Sequence, residues 1–317
     1  MNVASPRSAA SFLGRAAPLF GRAAWAALAY NMLVVLWGAL VRATGSGAGC
    51  GGHWPLCNGE MVPSLTTTAT IIEYTHRLMS GVAIVAVCGL WLWSRALYPR
   101  GHRVRRWAGL AAVLLAVEAL LGAGLVLFDY VAHNASIGRG LYLAAHLANT
   151  QMLLAALVMT AWTATHGKRT LDRARIPGVL LAALPLAIAL SMTGAVAALG
   201  DTLFPARSLQ AGFAQDFSPA AHFLLRVRTV HPALAVLVGI FLLYAASSAV
   251  RARPSAAVKR MAAAVAALTL AQLAAGAVNV ALLAPAWMQI AHLLLASVLW
   301  IALVVLAANG AAGQDTP

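Results

Sequence analysis

Four histidines stand inside long apolar stretches of this chain: His76, His146, His231 and His292. An ionisable side chain within a hydrocarbon-length run is costly and marks function by default. Neutral imidazole is the commonest side-chain metal ligand. A zinc site would call for a closed set of three or four ligands with Cys or carboxylate among them. Two histidines on facing helices suit instead the two axial positions of a heme. The four therefore read as two bis-histidine heme sites; the competing reading, a core histidine hydrogen-bonded across helices, suits one lone residue better than four.

The elements that carry them follow from composition. Of 317 residues, 62% are hydrophobic and 9% charged, against roughly 25% charged in an ordinary soluble domain. That excludes a soluble fold of this size, a disordered chain and a disulfide scaffold. The net charge of +14 comes from 22 Lys and Arg against 8 Asp and Glu, and the basic residues fall in short clusters between apolar runs, which is membrane topology and not nucleic-acid binding. A crossing helix needs about 20 apolar residues. Eight segments qualify, at about 24–42, 69–93, 107–128, 140–165, 176–199, 222–249, 261–283 and 286–308, so the expected fold class is an all-α integral membrane bundle of eight helices. The first run reads as a span and not as a cleaved leader, since seven more follow.

Sorting the basic residues orients the bundle. Arg7, Arg15 and Arg22 precede the first span, and Arg95, Arg100, Arg103, Arg105 and Arg106 lie between the second and third. Lys168, Arg169, Arg173 and Arg175 follow the fourth; Arg251, Arg253, Lys259 and Arg260 follow the sixth. All fall on one side, which the positive-inside rule makes cytoplasmic, together with both termini. The loops 43–68, 129–139 and 200–221 and the turn at Pro285 then face outward. At 1.5 Å per residue the four histidines sit roughly 8–13 Å below that outward end.

The chain also repeats itself. Val104-Arg105-Arg106-Trp107-Ala108 matches Val258-Lys259-Arg260-Met261-Ala262, and Glu118 and Gly122 fall opposite Gln272 and Gly276 at one offset of 154 (272 − 118, 276 − 122). Gly38-Ala39 echoes Gly194-Ala195, Ala145-His146-Leu147 echoes Ala291-His292-Leu293, and His76 pairs with His231. This implies two four-helix halves, 24–165 and 176–308, joined by a linker at 166–175 and flanked by tails at 1–23 and 309–317. Halves with an even number of spans enter from the same side, so a pseudo-two-fold axis along the membrane normal is expected.

Symmetry breaks beside the histidines. Glu73 of Glu73-Tyr74-Thr75-His76-Arg77 aligns with Arg228 of Arg228-Thr229-Val230-His231-Pro232. Residues i and i+3 share a helix face, so the Glu73 carboxylate is expected on the ligand face of His76. There it could accept a proton or stabilise developing positive charge; pairing with Arg77 or Arg42 is the alternative. The N-terminal half would then do chemistry, and the C-terminal half would hold a permanent heme. Glu118 reads as an interhelical contact. Heme propionates need cations near the membrane surface, for which Arg42, Arg77, Arg226 and Arg228 are candidates. Cys50 and Cys57 lie in a Gly- and Pro-rich outward loop where a disulfide is expected, either structural or redox-active; Cys88 reads as core.

Taken together, Gly38-Ala39-Leu40-Val41-Arg42-Ala43-Thr44-Gly45-Ser46-Gly47 leading to Cys50 and Trp54-Pro55-Leu56-Cys57, then Glu73-Tyr74-Thr75-His76-Arg77 and the later histidines, resemble the heme A synthase family over about residues 24–308. The resemblance implies an enzyme, a membrane oxidoreductase of cytochrome oxidase biogenesis that oxidises the C8 methyl group of heme O to a formyl group by successive hydroxylations. It implies His76 and His146 as ligands of substrate heme O, His231 and His292 as ligands of a heme b cofactor (iron in both cases), Glu73 as the catalytic carboxylate and Cys50–Cys57 as the loop disulfide. Implied partners are heme O synthase, cytochrome oxidase assembly factors, an electron donor or acceptor and membrane lipid; the implied location is the cell membrane. Some members carry a second cysteine pair between helices five and six, but residues 200–221 here contain no Cys. Two other functions remain in view: a non-catalytic heme carrier or exporter, which would not need Glu73 on the ligand face, and a b-type electron conduit, which would want hemes near both membrane faces.

Overall fold

The computed structural model describes residues 6–166 and 171–313. These form nine α-helices: α1 (Pro6–Ala43), α2 (Thr68–Leu97), α3 (Arg103–Leu127), α4 (Ile137–Thr165), α5 (Gly178–Leu203), α6 (Leu209–Asp216), α7 (Phe223–Ala252), α8 (Ala256–Ala281) and α9 (Ala286–Ala311). All but α6 are long and apolar enough to cross a membrane, α1 through its Ala16–Ala43 portion. Backbone groups in hydrocarbon find no water, so each crossing must satisfy them internally, and a helix does so. The chain is an all-α, multi-pass membrane bundle. Its exterior is correspondingly apolar: Val85, Leu120 and Leu237 are 73%, 65% and 64% exposed.

Local sequence sets the helix starts. Thr67, Ser136 and Ser255 accept the N–H of Thr70, Arg139 and Val258 and so cap α2, α4 and α8, satisfying donors that a helix leaves open. His102 and His222 do the same for α3 and α7 through ring Nδ1. Pro177 and Pro285 stand at the N-caps of α5 and α9.

Successive spans alternate in direction, which gathers the connections 44–67, 128–136, 204–222 and 282–285 at one end, called the loop end below. Within the bundle α1 packs on α2 and α4, α3 on α4, α5 on α7 and α8 on α9; α4 also packs on α5 and α9. Deeply buried residues of α4 and α9, Leu154, Leu157 and Trp162 with Leu303 and Leu306, belong to one core cluster. Two indoles stitch it: Trp300 Nε1 donates to the Gln151 carbonyl at 2.7 Å and Trp162 Nε1 to Asn309 Oδ1 at 3.3 Å.

Two expectations are adjusted. The stretch 200–221 is not all loop: α5 runs on to Leu203, and Ser208 caps the two-turn α6. The first helix starts well before residue 24, because nothing between Pro6 and Ala23 stops a helix and Pro18 alone is tolerated. Lys168 and Arg169 lie outside the described residues.

Candidate functional site

The four histidines stand at one level. His76, His146, His231 and His292 lie eight, nine, eight and six residues into α2, α4, α7 and α9, which is about 9–14 Å below the loop end at 1.5 Å per residue. His76 and His146 are close enough to influence each other electrostatically, as are His231 and His292.

Each imidazole faces a glycine of the neighbouring helix. A Cβ on Gly38 of α1 would come 3.2 Å from His76 Cε1 and 3.3 Å from its Nε2. One on Gly194 of α5 would come 3.0 Å from His231 Cε1, and one on Gly276 of α8 would come 3.2 Å from His292 Cε1. Gly122 of α3 is looser, with His146 Nε2 at 3.9 Å. The glycines that recur in the sequence are thus the residues against which the rings lie, and at three of the four a methyl group would press on the ring.

The ring nitrogens divide into held and free. Thr193 Oγ1 lies 2.9 Å from His231 Nδ1, and the Gln272 amide nitrogen lies 3.0 Å from His292 Nε2. His76 Nδ1 and His292 Nδ1 are buried without a partner. His146 Nδ1 lies 3.0 Å from Glu118 Oε1, a short contact in which the N–H direction misses the oxygen, so that it does not count as an aligned hydrogen bond. Among the described residues no group of three or more His, Cys, Asp or Glu could chelate an ion by itself; paired axial ligation needs no such group.

Glu73 is buried, 4% exposed, and its carboxylate is fully engaged. Oε2 accepts the Cys50 N–H at 2.9 Å, and Oε1 accepts from Arg77, its ion-pair partner. Arg77 also donates to the carbonyls of His53 and Leu56 at 2.6 and 2.5 Å. Cys50 and Cys57 are joined by a disulfide, so Glu73 and Arg77 grip the disulfide loop from below. Gly49 makes this approach possible: a Cβ there would run into the Ala69 carbonyl of α2.

Arg228, at the position matching Glu73, grips the opposite loop with the opposite charge. It donates to both Asp216 and Asp201, to Gln215 and to the Phe204 carbonyl. Arg42 crosses the bundle from α1 to α5 and α9, donating to the Ala198 carbonyl, Thr202 Oγ1 and Gln289 Oε1, each at 2.8 Å. Arg226 is exposed and reaches only the carbonyls of Ala221 and Pro219. Each candidate propionate partner therefore already holds protein groups. Cys88 is half-buried and unpaired.

Sequence reading missed Arg139, 4% exposed at the start of α4, which pins the 128–136 connection through the carbonyls of Ala132 and Asn134. It also missed that Glu118 reaches a site histidine; its alignment with Gln272, itself in contact with His292, was the available signal.

Similarity to known proteins follows the same residues. A sequence profile described as cytochrome oxidase assembly protein matches residues 21–304. The chain is 47% identical over 288 residues to a protoheme IX farnesyltransferase of Thermus thermophilus, covering 90% of this chain and 47% of that one. It is 40% identical over 130 residues to a heme A synthase of Alkalihalophilus pseudofirmus, 40% of each chain, and 47% identical over 97 residues to a heme A synthase of Bacillus cereus, 31% of each. The chain thus spans about half the length of the Thermus relative and less of the other two. Since the profile takes in all four histidines, both loop cysteines and some or all of every span, the chain belongs to the cytochrome oxidase assembly protein family.

Proposed function

We propose that this protein is a heme A synthase, a membrane oxidoreductase that converts the C8 methyl group of heme O to a formyl group. The observation that carries the reading is the set of four histidines at one level, each against a glycine that leaves the ring room. In this reading the chain is two tandem four-helix halves about an axis along the membrane normal. His76 and His146 hold substrate heme O in the first half; His231 and His292 hold a heme b in the second. Free ring nitrogens at His76 and His292 and the glycine clearances fit such groups. A bound heme b would supply one-electron transfer.

The chain's own residues do the rest. Glu73 sits under the disulfide loop, three residues before His76, and is the acidic group placed to accept a proton at the substrate edge. To do so it must trade a hydrogen bond from Cys50 or Arg77, which couples the loop to chemistry. Of the four candidate arginines, Arg226 gives up least on meeting a propionate, because it holds only backbone carbonyls. Heme O synthase would supply the substrate, and oxidase assembly would consume the product. In this reading both termini lie on the cytoplasmic side of the cell membrane, which the basic clusters support.

The farnesyltransferase relative suggests a second reading. Prenyl transfer from a diphosphate ordinarily uses carboxylates that hold Mg²⁺ against the leaving group. The two aspartates that converge in this chain, Asp201 and Asp216, are both bound to Arg228, so the residues favour oxidation.

The test is heme stoichiometry and ligation in the purified full chain. His76→Ala and His231→Ala are each expected to abolish a different bis-histidine absorption component. Loss of neither component, or of both together, would contradict two separate sites.

A further inference from the structure

The helices α4 and α9 each carry a site histidine, but different groups stand behind the two rings. Behind His146 is Glu118 of α3, with Oε1 at 3.0 Å from Nδ1. Beside His292 is Gln272 of α8, aligned with Glu118 in the sequence, but its amide nitrogen meets the other ring nitrogen, at 3.0 Å from Nε2, and Nδ1 is left without a partner. One is a carboxylate and the other a neutral amide.

Glu118 is held rigidly in this position. Its carboxylate accepts from Asn149 Nδ2 at 2.5 Å and from Thr150 Oγ1, so it meets three side chains of α4 within about one turn. Asn149 also donates to the Leu114 carbonyl at 2.9 Å, one turn before Glu118 on α3; the single Thr150 hydroxyl proton is shared between Glu118 and the His146 carbonyl, 2.9 Å away. Gln272 has no such frame, and its Oε1 is buried without a partner. With Glu118 at Nδ1, the ring of His146 has Nε2 beside Gly122, 3.9 Å from the position of a Cβ there. A carboxylate at this distance raises the basicity of a metal-bound imidazole through its charge, and fixes the tautomer where the ring N–H turns onto it; a more basic axial ligand favours the oxidised metal. A neutral amide does much less.

We infer that Glu118 is a positioning residue that acts through His146, making the iron held by His76 and His146 harder to reduce than the iron held by His231 and His292. The inference rests on the two-heme reading above. It assigns the difference between the sites to one side-chain pair, Glu118 and Gln272, outside the ligands themselves. Its consequence is directional: of two such groups, the one held by His231 and His292 would be the easier to reduce.

The experiment is a spectroelectrochemical titration of the full chain loaded with heme O and heme b, the two components being identified by their loss in His76→Ala and His231→Ala. Glu118→Gln should ease reduction of the first component by tenfold or more, which is about 59 mV for a one-electron couple, and leave the second unmoved. Gln272→Glu should shift the second component the other way, and Glu118→Asp should hold near wild type. If Glu118→Gln does not fold, Gln272→Glu decides alone. Unchanged potentials in a variant that retains both hemes would overturn the inference while leaving the two-heme reading intact. A wild-type protein that binds one heme or none would overturn both.

Discussion

The Glu73 carboxylate accepts the backbone N–H of Cys50 at 2.9 Å, which places the loop disulfide directly over the acidic residue beside His76. The contact makes loop and acid one unit. Replacing Glu73 with Gln leaves the Arg77 guanidinium, 13% exposed, without its counter-charge, and removing one partner of a buried pair costs on the order of 3 kcal/mol. Thermal unfolding in detergent should show that loss in Glu73→Gln, and the Cys50–Cys57 bridge should become more accessible to a mild reductant. An unchanged midpoint and unchanged reduction rate would break the link between loop and acid.

The glycines beside the histidines should rank by clearance. Gly194→Ala places a methyl 3.0 Å from His231, whereas Gly122→Ala places one 3.9 Å from His146. Overpacking costs about 1–3 kcal/mol, enough for a roughly tenfold loss of heme affinity. Heme content per protein should fall in Gly194→Ala and Gly38→Ala and stay near wild type in Gly122→Ala. Equal loss at all three positions would contradict the packing argument.

Arg42 ties α1 to α5 and α9 through three hydrogen bonds. Arg42→Ala should destabilise the bundle by about 3 kcal/mol or more, since bonds to a charged donor contribute about 1.5–3 kcal/mol each. Arg42→Lys should not restore it, because a single ammonium cannot reproduce the guanidinium fork. Full rescue by Lys in an unfolding assay would show that charge alone matters at this position.

His102 gives a pH dependence outside the spans. Its Nδ1 caps α3 by accepting the Val104 N–H at 3.3 Å, and its ring stacks on Tyr98. Burial, helped by the Arg103 charge, holds its pKa below the usual histidine value. A histidine whose folded pKa is lowered contributes stability that is present at neutral pH and is lost as pH falls below the unfolded value. Fraying of α3 near Arg103 should therefore grow on acidification and be absent in His102→Ser, where the cap does not titrate. Hydrogen exchange at Val104 measures it; an acid response that survives in His102→Ser would assign the effect elsewhere.

The spans and the level of the histidines were legible because an apolar run of membrane length fits little besides a crossing helix, and because the intramembrane histidines stand out against it. The reach of side chains was not. Arg42, Arg139 and Arg228 look alike as interfacial arginines, yet one crosses the bundle and the other two pin loops, and only tertiary packing separates them. The pairing of Glu73 with Arg77 was readable as the alternative for that carboxylate, but its bond to Cys50 depends on how closely Gly49 lets the loop approach α2. The short α6 was hidden in a segment whose Ser208 cap and two turns are too brief to register as a hydrophobic period.

The central claim is oxidation of heme O, and mass analysis of extracted heme tests it most directly. The full chain and its Glu73→Gln variant would be expressed in a host that makes heme O and lacks an enzyme of this kind. The account predicts formyl-bearing heme A from wild type and unchanged heme O from the variant, with heme bound in both. Unchanged heme O from folded, heme-loaded wild type would contradict it.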